Sequence, residues 1–516
     1  MPRFRKGNFT QHMLVPIELQ EQLMPGTIEK TINDLIDRMD MKVFMDRYQN
    51  DETGAPAYDP RVLLKIILFA YSRGILSSRK IAQAAEKNIT FIALSGYAKP
   101  DFTTIANFIS SMEQEIMFVF TYVLRVCQRL DLIGGERFAL DGHKMSSNAS
   151  KELSGTFPKF EKKVSKLKAI LADLMQQHKN ADTEALKESL SERIKKKART
   201  VEKIETFMAE NEPKRPTRKS AKEVQSNITD NESAKLMSPH GVLQGYNSLA
   251  MSDEKNQIVV AASVSGANHE TDTLKPMVEQ TQAICQEIGL GENIFAKAEL
   301  LADNGFASEA NVKYLHENNI DAYIPDLMFR RRDPRFADRD RFKTPRKANI
   351  FADQRKEKSR GYGATDFAYD KILDQFTCKN GKVLTRWGSS MRGDARYGIK
   401  KGECATCSLL LTCMPRAKVG TRKTLTVKTQ ETNNRNLPYT ALMRAKIDSP
   451  EGRLIYSRRM KIIEPVFANM TVQKGMHKFT LRGKTKVGIQ NLLYYIVHNI
   501  GKIATVGAER HCEVVV

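Results

Sequence analysis

The spacing of apolar residues predicts a helical N-terminal region. Over residues 60–117 apolar side chains recur at steps of three and four, in stretches such as PRVLLKIILFAYSRG and FTTIANFISSMEQEIMFVF, with turn-forming residues between them. Three or four short helices fit this pattern, and we assign residues 1–130 to one helical domain. Hydroxyl and basic residues open two of the helices, as in helix-turn-helix modules that contact DNA, although an ordinary helical bundle fits equally well. The candidate DNA contacts are Ser78, Arg79, Thr103 and Thr104.

Residues 151–228 show a different pattern, a narrow apolar seam in surroundings rich in Lys and Glu. Apolar residues recur every three or four positions from Val164 to Leu174 and again from Leu190 to Met208, on either side of QHKNAD at 177–182. This spacing predicts an antiparallel helical hairpin inserted into the fold. Such a charged hairpin is typical of a solvated spacer or a dimerisation arm, and its basic face could additionally lie along DNA.

Short runs rich in β-branched residues flank this hairpin and predict a sheet. Helical patterns at 271–289 and 308–319 separate the later runs. The order is strand, insertion, two strands, helix, strand, helix and strand, which is compatible with a ribonuclease-H-like α/β fold. The predicted strands are ERFALD (136–141), GVLQGYNSLAM (241–251), QIVVAASVS (257–265), AKAELLAD (296–303) and IDAYIP (320–325).

The α/β core would then be discontinuous. Its first part is predicted at 131–150 and 229–325, and its last, helical part at 451–516, which contains the long apolar VGIQNLLYYIVHNIGKIA. Residues 326–450 lack clear periodicity, and we interpret them as a basic, Cys-containing inserted subdomain. Arg330, Arg331 and Arg332 begin it and are candidate DNA contacts.

Composition points to a polyanionic partner. The 516 residues are 41% hydrophobic and 28% charged, which is ordinary for a folded chain of several domains. Lys plus Arg number 82 against 60 for Asp plus Glu, so the formal charge is +22, and nucleic acid is the first partner to consider. No apolar stretch is long enough to span a membrane, and no apolar segment follows the basic start. We expect a cytoplasmic protein with no membrane partner.

Two aspartates follow predicted strands. Asp141 closes FALD and Asp303 closes ELLAD. Ligands of open α/β sheets collect beyond the carboxyl ends of the strands, and two carboxylates there would repel each other unless a cation lay between them. Oxygen ligands favour Mg²⁺ or Mn²⁺. The alternative is that each Asp only begins a turn.

A third acidic ligand is expected from a helix that packs on this sheet. In YSRRMKIIEPVFANM the apolar residues 463, 466, 467 and 470 would form a buried stripe with Glu464 at its margin. Pro465 implies that the helix kinks or begins there. Arg459 lies five residues before Glu464, about 140° around an ideal helix, so the two would not share a face unless the helix is interrupted. A surface glutamate is the alternative interpretation.

These residues together resemble the DDE-type transposases of bacterial insertion sequences, in the group with an insertion between the second Asp and the Glu. The resemblance extends over nearly the whole chain. Its motifs are YDPRVLLKIILFAYSRGILSSRKI and PDFTTIANF near the N terminus, FALDGHKMSSNAS around Asp141, LMSPHGVLQGYNSLAMSD around Tyr246, ELLADNGF around Asp303, and YSRRMKIIEPVFANM with HKFTLRGKTKV near the C terminus.

The resemblance implies a metal-binding triad of Asp141, Asp303 and Glu464 that holds two Mg²⁺ or Mn²⁺ ions. Tyr456 and Arg459 would be the accessory residues of the signature that ends in the catalytic Glu. Related transposases often have three residues between this Arg and the Glu and a Lys seven residues after the Glu. This chain has four residues between them and a threonine at position 471.

Further residues near the triad are candidates for DNA contact, because Lys and Arg around the site would bind phosphates. Beyond Glu464 they are Lys474, Arg482 and Lys484. His143 and Lys144 follow Asp141 directly, although a local hydrogen bond is an alternative role for His143. In some relatives an aromatic residue of the insertion stacks on a flipped base, which makes the sole tryptophan, Trp387, a candidate; core packing is its alternative.

The implied activity is DNA transposition by two-metal phosphoryl transfer, in which two ions about 3.5 to 4 Å apart act on the scissile phosphate. The enzyme would cut double-stranded DNA at terminal inverted repeats and join the ends to target DNA, as a homodimer or larger assembly. Two alternatives stay open. One is a metal-dependent nuclease on the same fold, and the other is a helix-turn-helix regulator without catalysis.

Four of the seven cysteines crowd one region of the insertion. Cys404 and Cys407 form a CxxC pair, Cys413 follows, and Cys378 lies upstream. Four thiolates could bind Zn²⁺ in tetrahedral geometry, and buried or free cysteines are the alternative.

Overall fold

The computed structural model divides into two compact units, residues 1–326 with 449–516 and residues 327–448. The chain leaves the first unit at Asp326 and resumes it at Ser449. The structure describes residues 18–48, 56–214, 223–238, 241–267, 269–337, 361–370, 373–389, 395–400, 402–415, 417, 421–427 and 438–506.

The N-terminal region of the first unit is helical, which confirms the prediction for this part of the chain. Asp59 begins one helix by accepting a hydrogen bond from the Arg61 N–H, and Pro60 occupies the first helical position. Another helix ends at Gly96, whose left-handed backbone suits glycine. The helices are α1 (Ile28–Arg38), α2 (Lys42–Met45), α3 (Pro60–Ser72), α4 (Ser78–Lys87), α5 (Ile89–Ser95), α6 (Phe102–Ser111) and α7 (Glu113–Arg129).

A mixed sheet follows. Strand β5 pairs antiparallel with β1, β4 and β6, whereas β1 pairs parallel with β7 and β7 parallel with β8. Helix α10 (Leu274–Glu287) follows β6, and α11 (Glu309–Glu317) connects β7 to β8. The strands are β1 (Arg137–Ser146), β4 (Ala234–Ser238), β5 (Gly241–Asp253), β6 (Val259–Ser265), β7 (Glu299–Ala302) and β8 (Ala322–Tyr323).

Strand β1 is longer than predicted. We expected it to end at Asp141, but it continues to Ser146 because β5 pairs with it over its whole length, from Phe138 opposite Asp253 to Ser146 opposite Gly245. The parallel partner on the other side is shorter, since β7 ends at Ala302, opposite Leu140. Asp141 therefore lies within a strand, at the point where the parallel pairing stops.

Two long helices, α8 (Phe157–Lys179) and α9 (Glu184–Glu210), occupy the predicted insertion and pack on each other. Their shared core includes Phe160, Leu167, Ile204 and Phe207. The break falls at 180–183 and not at 177–182, because α8 continues through His178 and Lys179. Strands β2 (Ser154–Gly155) and β3 (Ser226–Asn227) pair beside the ends of the hairpin.

The C-terminal segment of the first unit contains α15 (Pro450–Ser457), α16 (Arg459–Ala468), a π-helical turn (Asn469–Gln473) and α17 (Lys484–Val506). Helix α15 contacts β8. Pro465 lies inside α16, so of the two predicted alternatives, a kink at Pro465 or a helix that begins there, the second is wrong. None of the helices that the structure describes is both long and apolar enough to cross a membrane.

Helix α17 joins the N-terminal helices to the sheet. It contacts α3 and α7 on one side and β6 on the other, and most of its side chains are buried. Its buried amides have partners: Asn499 accepts from the Val259 N–H and donates to the Val259 carbonyl, both at 2.9 Å, and Asn491 accepts from the Ser248 hydroxyl at 2.5 Å. Burial of these polar groups is therefore compensated by hydrogen bonds.

The second unit contains a five-stranded antiparallel sheet in the order β13, β12, β11, β10, β9, which we did not predict. Its buried cluster includes Phe376, Leu384, Tyr397 and Leu425. The elements are α12 (Pro334–Ala337), β9 (Ala368–Asp370), β10 (Gln375–Thr377), β11 (Val383–Ser389), β12 (Ala395–Gly398), α13 (Leu410–Cys413), β13 (Thr424–Val427) and α14 (Pro438–Asp448).

Candidate active site

The two predicted aspartates meet at one edge of the sheet. Because Leu140 of β1 pairs with Ala302 of β7, the residues that follow them, Asp141 and Asp303, lie side by side. Both carboxylates face one guanidinium: Arg459 Nη1 is 2.6 Å from Asp141 Oδ2, and Arg459 Nη2 is 3.9 Å from Asp303 Oδ1. An arginine of α16 thus supplies the positive charge that the acid pair requires.

The packing of α16 explains the position of this arginine. Ile462, Ile463 and Val466 are buried on the side of α16 that contacts β1 and β5, and Arg459 belongs to the same side. Its side chain is only 10% exposed, and its Nε has no hydrogen-bond partner in the part of the chain that the structure describes. The guanidinium also lies 5.8 Å from the centre of the Tyr456 ring, so both accessory residues of the predicted signature lie at the acid pair.

Electrostatics couples these groups. Burial raises the pKa of Asp141, and the charge of Asp303 raises it further, while Arg459 and the Gly142 N–H oppose the rise. Burial alone would lower the pKa of Arg459, but Tyr456, Asp141 and Asp303 outweigh it, so the pKa of Arg459 lies above its ordinary value. The arginine therefore stays charged, and it stabilises the ionised form of the aspartates.

An open cavity of about 940 Å³ extends from the acid pair, and Asp141, His143, Lys144 and Asp303 contribute to its walls. The His143 ring stacks on Phe467 of α16 with 5.3 Å between ring centres. Burial lowers the pKa of His143, so the imidazole is neutral near pH 7. Two of the predicted accessory residues, His143 and Lys144, thus lie in the same cavity as the aspartates.

Glu270 is a third carboxylate in this cavity that the sequence analysis missed. Asn247 Nδ2 donates to Glu270 Oε1 at 3.0 Å and holds the carboxylate in place. Burial raises the pKa of Glu270, Lys144 lowers it, and the charges of Asp141 and Asp303 raise it again. A β-carbon at Gly305 would collide with Glu270 Oε2, so a larger residue at this position would displace the carboxylate. The only sequence signal for Glu270 is that it stands directly before a predicted helix, which in turn follows a predicted strand.

Glu464, the third predicted metal ligand, is not among the described residues that line this cavity. Its side chain is exposed. It follows Arg459 by five residues in an uninterrupted stretch of α16, and this spacing turns it about 140° away from the face that carries the arginine. Thr471, at the position where relatives often have Lys, does line the cavity.

The predicted DNA contacts of the N-terminal helices lie on α4 and α6. Arg79 is exposed and places its guanidinium 4.7 Å from the centre of the Phe102 ring. The Thr103 hydroxyl donates to Asp101 at 2.5 Å, while Ser78 and Thr104 are half-buried. The two helices contact each other, so these side chains belong to one part of the surface.

The predicted basic contacts after Glu464 have local partners. Lys474 donates to Asn469 at 2.5 Å, and burial together with Lys502 lowers the pKa of Lys474 to about 8. Arg482 donates to the Asn148 carbonyl at 2.7 Å. Lys484 begins α17 with an exposed side chain.

In the second unit, Arg330 and Arg331 are exposed, whereas Arg332 forms an ion pair with Asp448 at 2.5 Å. Trp387 lies on β11 and is 52% exposed, so the alternative that it packs in a core is wrong. The Arg422 guanidinium lies 5.1 Å from the centre of its ring.

The four cysteines of the predicted cluster line one small cavity of about 30 Å³ in the second unit. Cys404 is buried, and Cys378, Cys407 and Cys413 are half-buried. The sequence spacing alone did not determine that these thiols would meet.

The oxygen ligands of the acid pair and Glu270 suit a hard divalent cation, and the buried Arg459 is a stand-in for such a charge. Within the described ranges no three His, Cys, Asp or Glu side chains are already arranged to hold a metal ion. The chemistry of these carboxylates therefore fits a divalent cation. In the structure, the charge of Arg459 offsets the negative charge of Asp141 and Asp303.

Two family models match the chain. Residues 377–504 match a model described as a Transposase DDE domain, and residues 17–111 match one described as a Transposase domain, DUF772. The first match includes Tyr456, Arg459 and Glu464, while Asp141 and Asp303 lie outside both. No curated protein matches the chain.

Proposed function

Because the chain belongs to the DDE transposases of insertion sequences, we propose that it cuts DNA at the terminal inverted repeats of its element and joins the freed ends to target DNA. One observation carries the proposal. Neighbouring parallel strands bring the carboxylates of Asp141 and Asp303 together beside the buried guanidinium of Arg459, at the edge of an open cavity. Such an acid pair is suited to metal-assisted phosphoryl transfer.

The order β6, β5, β1, β7, β8 supports a ribonuclease-H-like core, which is part of this proposal. Asp141 and Asp303 would hold the divalent ions, Mg²⁺ or Mn²⁺, which supply positive charge beside the scissile phosphate when bound. Lys144 would bind a phosphate oxygen at the cavity wall, and neutral His143 would offer a hydrogen bond and not a fixed charge. Arg459 would hold the acid pair in place and keep a positive charge beside it.

Two glutamates are candidates for the third ligand. The family signature favours Glu464, which ends the YSRRMKIIE motif. The position in the cavity favours Glu270, which is fixed by Asn247 and interacts electrostatically with both aspartates. For Glu464 to reach the acid pair, α16 would have to rotate or shift, whereas Glu270 already lines the cavity.

DNA binding is proposed for α4 and α6, through Ser78, Arg79, Thr103 and Thr104, and for the basic residues Lys474, Arg482 and Lys484. Transposition joins two DNA ends, so we propose at least a dimer on DNA in the bacterial cytoplasm, with the α8–α9 hairpin as one contact. Deletion of the hairpin should then reduce the number of chains in each complex on repeat-end DNA, as obtained from light scattering after the loss of the deleted residues is subtracted. An unchanged number of chains would remove this contact from the proposal.

A strand-transfer assay with Mg²⁺ and DNA that carries the repeats flanking the element tests the function. We expect joined products with the native chain and at least a thousandfold less with Asp303→Asn, since metal catalysis supplies several kcal/mol, roughly three orders of magnitude in rate. Asp46→Asn, at an exposed position directly after α2 and outside the proposed DNA and dimer contacts, is the matched control and should retain activity.

The alternatives predict other outcomes. Cleavage without joining and without need for the repeats would indicate a nuclease. Binding to the repeats that survives Asp303→Asn, with neither cleavage nor joining by the native chain, would indicate a regulator and overturn the proposal.

A further inference from the structure

We propose that Cys378, Cys404, Cys407 and Cys413 bind one Zn²⁺ ion that stabilises the second unit. The proposal concerns a site in residues 327–448 and does not depend on the reaction at Asp141 and Asp303. It goes beyond DNA cleavage and joining, because a zinc ion held by four cysteines would be structural and would leave no position open for a substrate.

The fold brings the four thiols together from separate segments. Cys378 follows β10 in the turn to β11, Cys404 and Cys407 lie in the loop after β12, and Cys413 ends α13. All four line the same small cavity, which is enclosed by apolar side chains such as Phe367 and Leu384. Four sulfur atoms around one small cavity, from three separate segments, form the ligand set that Zn²⁺ prefers.

Two hydrogen-bond donors face the sulfurs. The turn after Cys378 includes Gly381 in a left-handed conformation, and it directs the Lys382 N–H to Cys378 Sγ at 3.3 Å. Asn380 Nδ2 donates to Cys407 Sγ at 3.5 Å. Outer donors of this kind orient metal ligands and stabilise thiolates.

Four bound thiolates would place several negative charges around this small cavity, and Lys423 is one of the residues that line it. Lys423 is already engaged, since its ammonium donates to the carbonyls of Tyr362 and Cys413. Four thiolates in so small a space would repel one another, and a divalent ion would remove this repulsion.

The size of the core gives the ion a structural role. The buried cluster of the described part of this unit has eight members, and Cys404 is one of them. A core this small stabilises a separate unit weakly, and small domains often add a metal or disulfides. Among the described residues no three of these side chains are placed to hold a metal ion, so zinc binding would have to draw the sulfurs together.

Zinc content of the purified full-length chain, measured by mass spectrometry, tests the proposal. We expect about one zinc per chain, and less than roughly a tenth of that in Cys404→Ser/Cys407→Ser. Cys127→Ala and Cys285→Ala are matched controls, since both thiols are buried in the first unit, and they should keep their zinc.

A second measurement covers the possibility that the double variant fails to fold. Titration of the native chain with a mercurial reagent should release about one zinc as about four thiols react. Absence of zinc from the native chain, even after incubation with ZnSO₄, would overturn the proposal. So would retention of zinc by a folded double variant, or a thiol count under denaturing conditions that shows the four cysteines paired as disulfides.

Discussion

The two clusters of potential ligands differ in how their charge is balanced. The acid pair in the first unit already contains a cation, because Arg459 lies 2.6 Å from Asp141 and also faces Asp303. Around the cysteine cluster in the second unit the nearby ammonium, that of Lys423, instead donates to two backbone carbonyls, those of Tyr362 and Cys413. The carboxylates lie at an open cavity of about 940 Å³, and the thiols around one of about 30 Å³.

This difference teaches that the two sites would use metal ions for different purposes. The carboxylate cluster contains an arginine, so it can fold without a metal ion. It can then bind and release metal ions during a reaction. A cluster of thiols around a small, enclosed cavity depends on the ion for its own stability. Catalytic sites keep positions open, and structural sites are closed. Four experiments can break or sharpen the comparison.

Removal of metal should have the largest effect, and it should affect one unit only. Zinc binding contributes several kcal/mol to small zinc domains, so a strong chelator should unfold the second unit, while Arg459 preserves the first. Trp387 is the sole tryptophan and lies in the second unit, so its fluorescence reports on that unit alone. Far-ultraviolet circular dichroism reports mainly on the helices of the first. Simultaneous loss of both signals would contradict the comparison.

Replacement of Arg459 by a neutral residue should destabilise the first unit. Arg459→Ala leaves two facing carboxylates without a partner, and we expect a loss of about 2 to 4 kcal/mol in the free energy of unfolding in metal-free buffer. Mn²⁺ should restore more stability to this variant than to the native chain. Urea denaturation followed by circular dichroism measures both effects.

Arg458→Ala is the matched control, because Arg458 is exposed and its guanidinium lies 3.7 Å from Glu254 at the surface. This variant should lose at most about 1 kcal/mol. An equal loss in the two variants would mean that the acid pair does not depend on Arg459.

Substitution of each candidate glutamate identifies the third ligand. If Glu270 takes this role, Glu270→Gln should weaken Mn²⁺ binding about tenfold or more by calorimetry, and Glu464→Gln should leave it unchanged. The reverse result would support the signature and would mean that α16 moves when the ions bind. Both variants keep the side-chain volume, so a difference between them reflects charge.

Loss of the side chain that holds Glu270 should have the smallest effect. Asn247→Ala removes one hydrogen bond to a carboxylate, worth about 1 kcal/mol, so Mn²⁺ affinity should fall about fivefold if Glu270 is a ligand. Asn256→Ala is a suitable control, because Asn256 donates to the Leu132 carbonyl away from the cavity. Equal affinities in the native chain and Asn247→Ala would show that the orientation of Glu270 does not matter.

Much of the first unit could be predicted from the sequence because its elements carry strong local patterns. The helices over 60–117 follow apolar spacing, and the neighbouring position of Asp141 and Asp303 follows from two apolar runs that each lead into an aspartate and pair as parallel strands. The extension of β1 to Ser146 could not be predicted, because it depends on pairing with β5 and not on the residues of β1.

The other features of the fold and the site could not be predicted, mainly because they depend on contacts between residues that are far apart in the sequence. Glu270 joins the acid pair through a loop and through Asn247 on β5, and nothing in its neighbouring residues indicates this. The sheet of the second unit was missed because its strands are short, from three to seven residues, and alternate weakly. The charge between the aspartates comes from an arginine that lies 318 positions from Asp141.

The point where the chain leaves and re-enters the first unit has an evolutionary consequence. Helix α15 begins one residue after the re-entry at Ser449 and packs on β8, the strand that lies shortly before the exit at Asp326. An ancestral gene could therefore have gained or exchanged the whole segment 327–448 in a single recombination event, without a new pairing in the sheet. Natural variation in length among related genes should concentrate at this junction, and the sheet that carries the aspartates should keep its strand order.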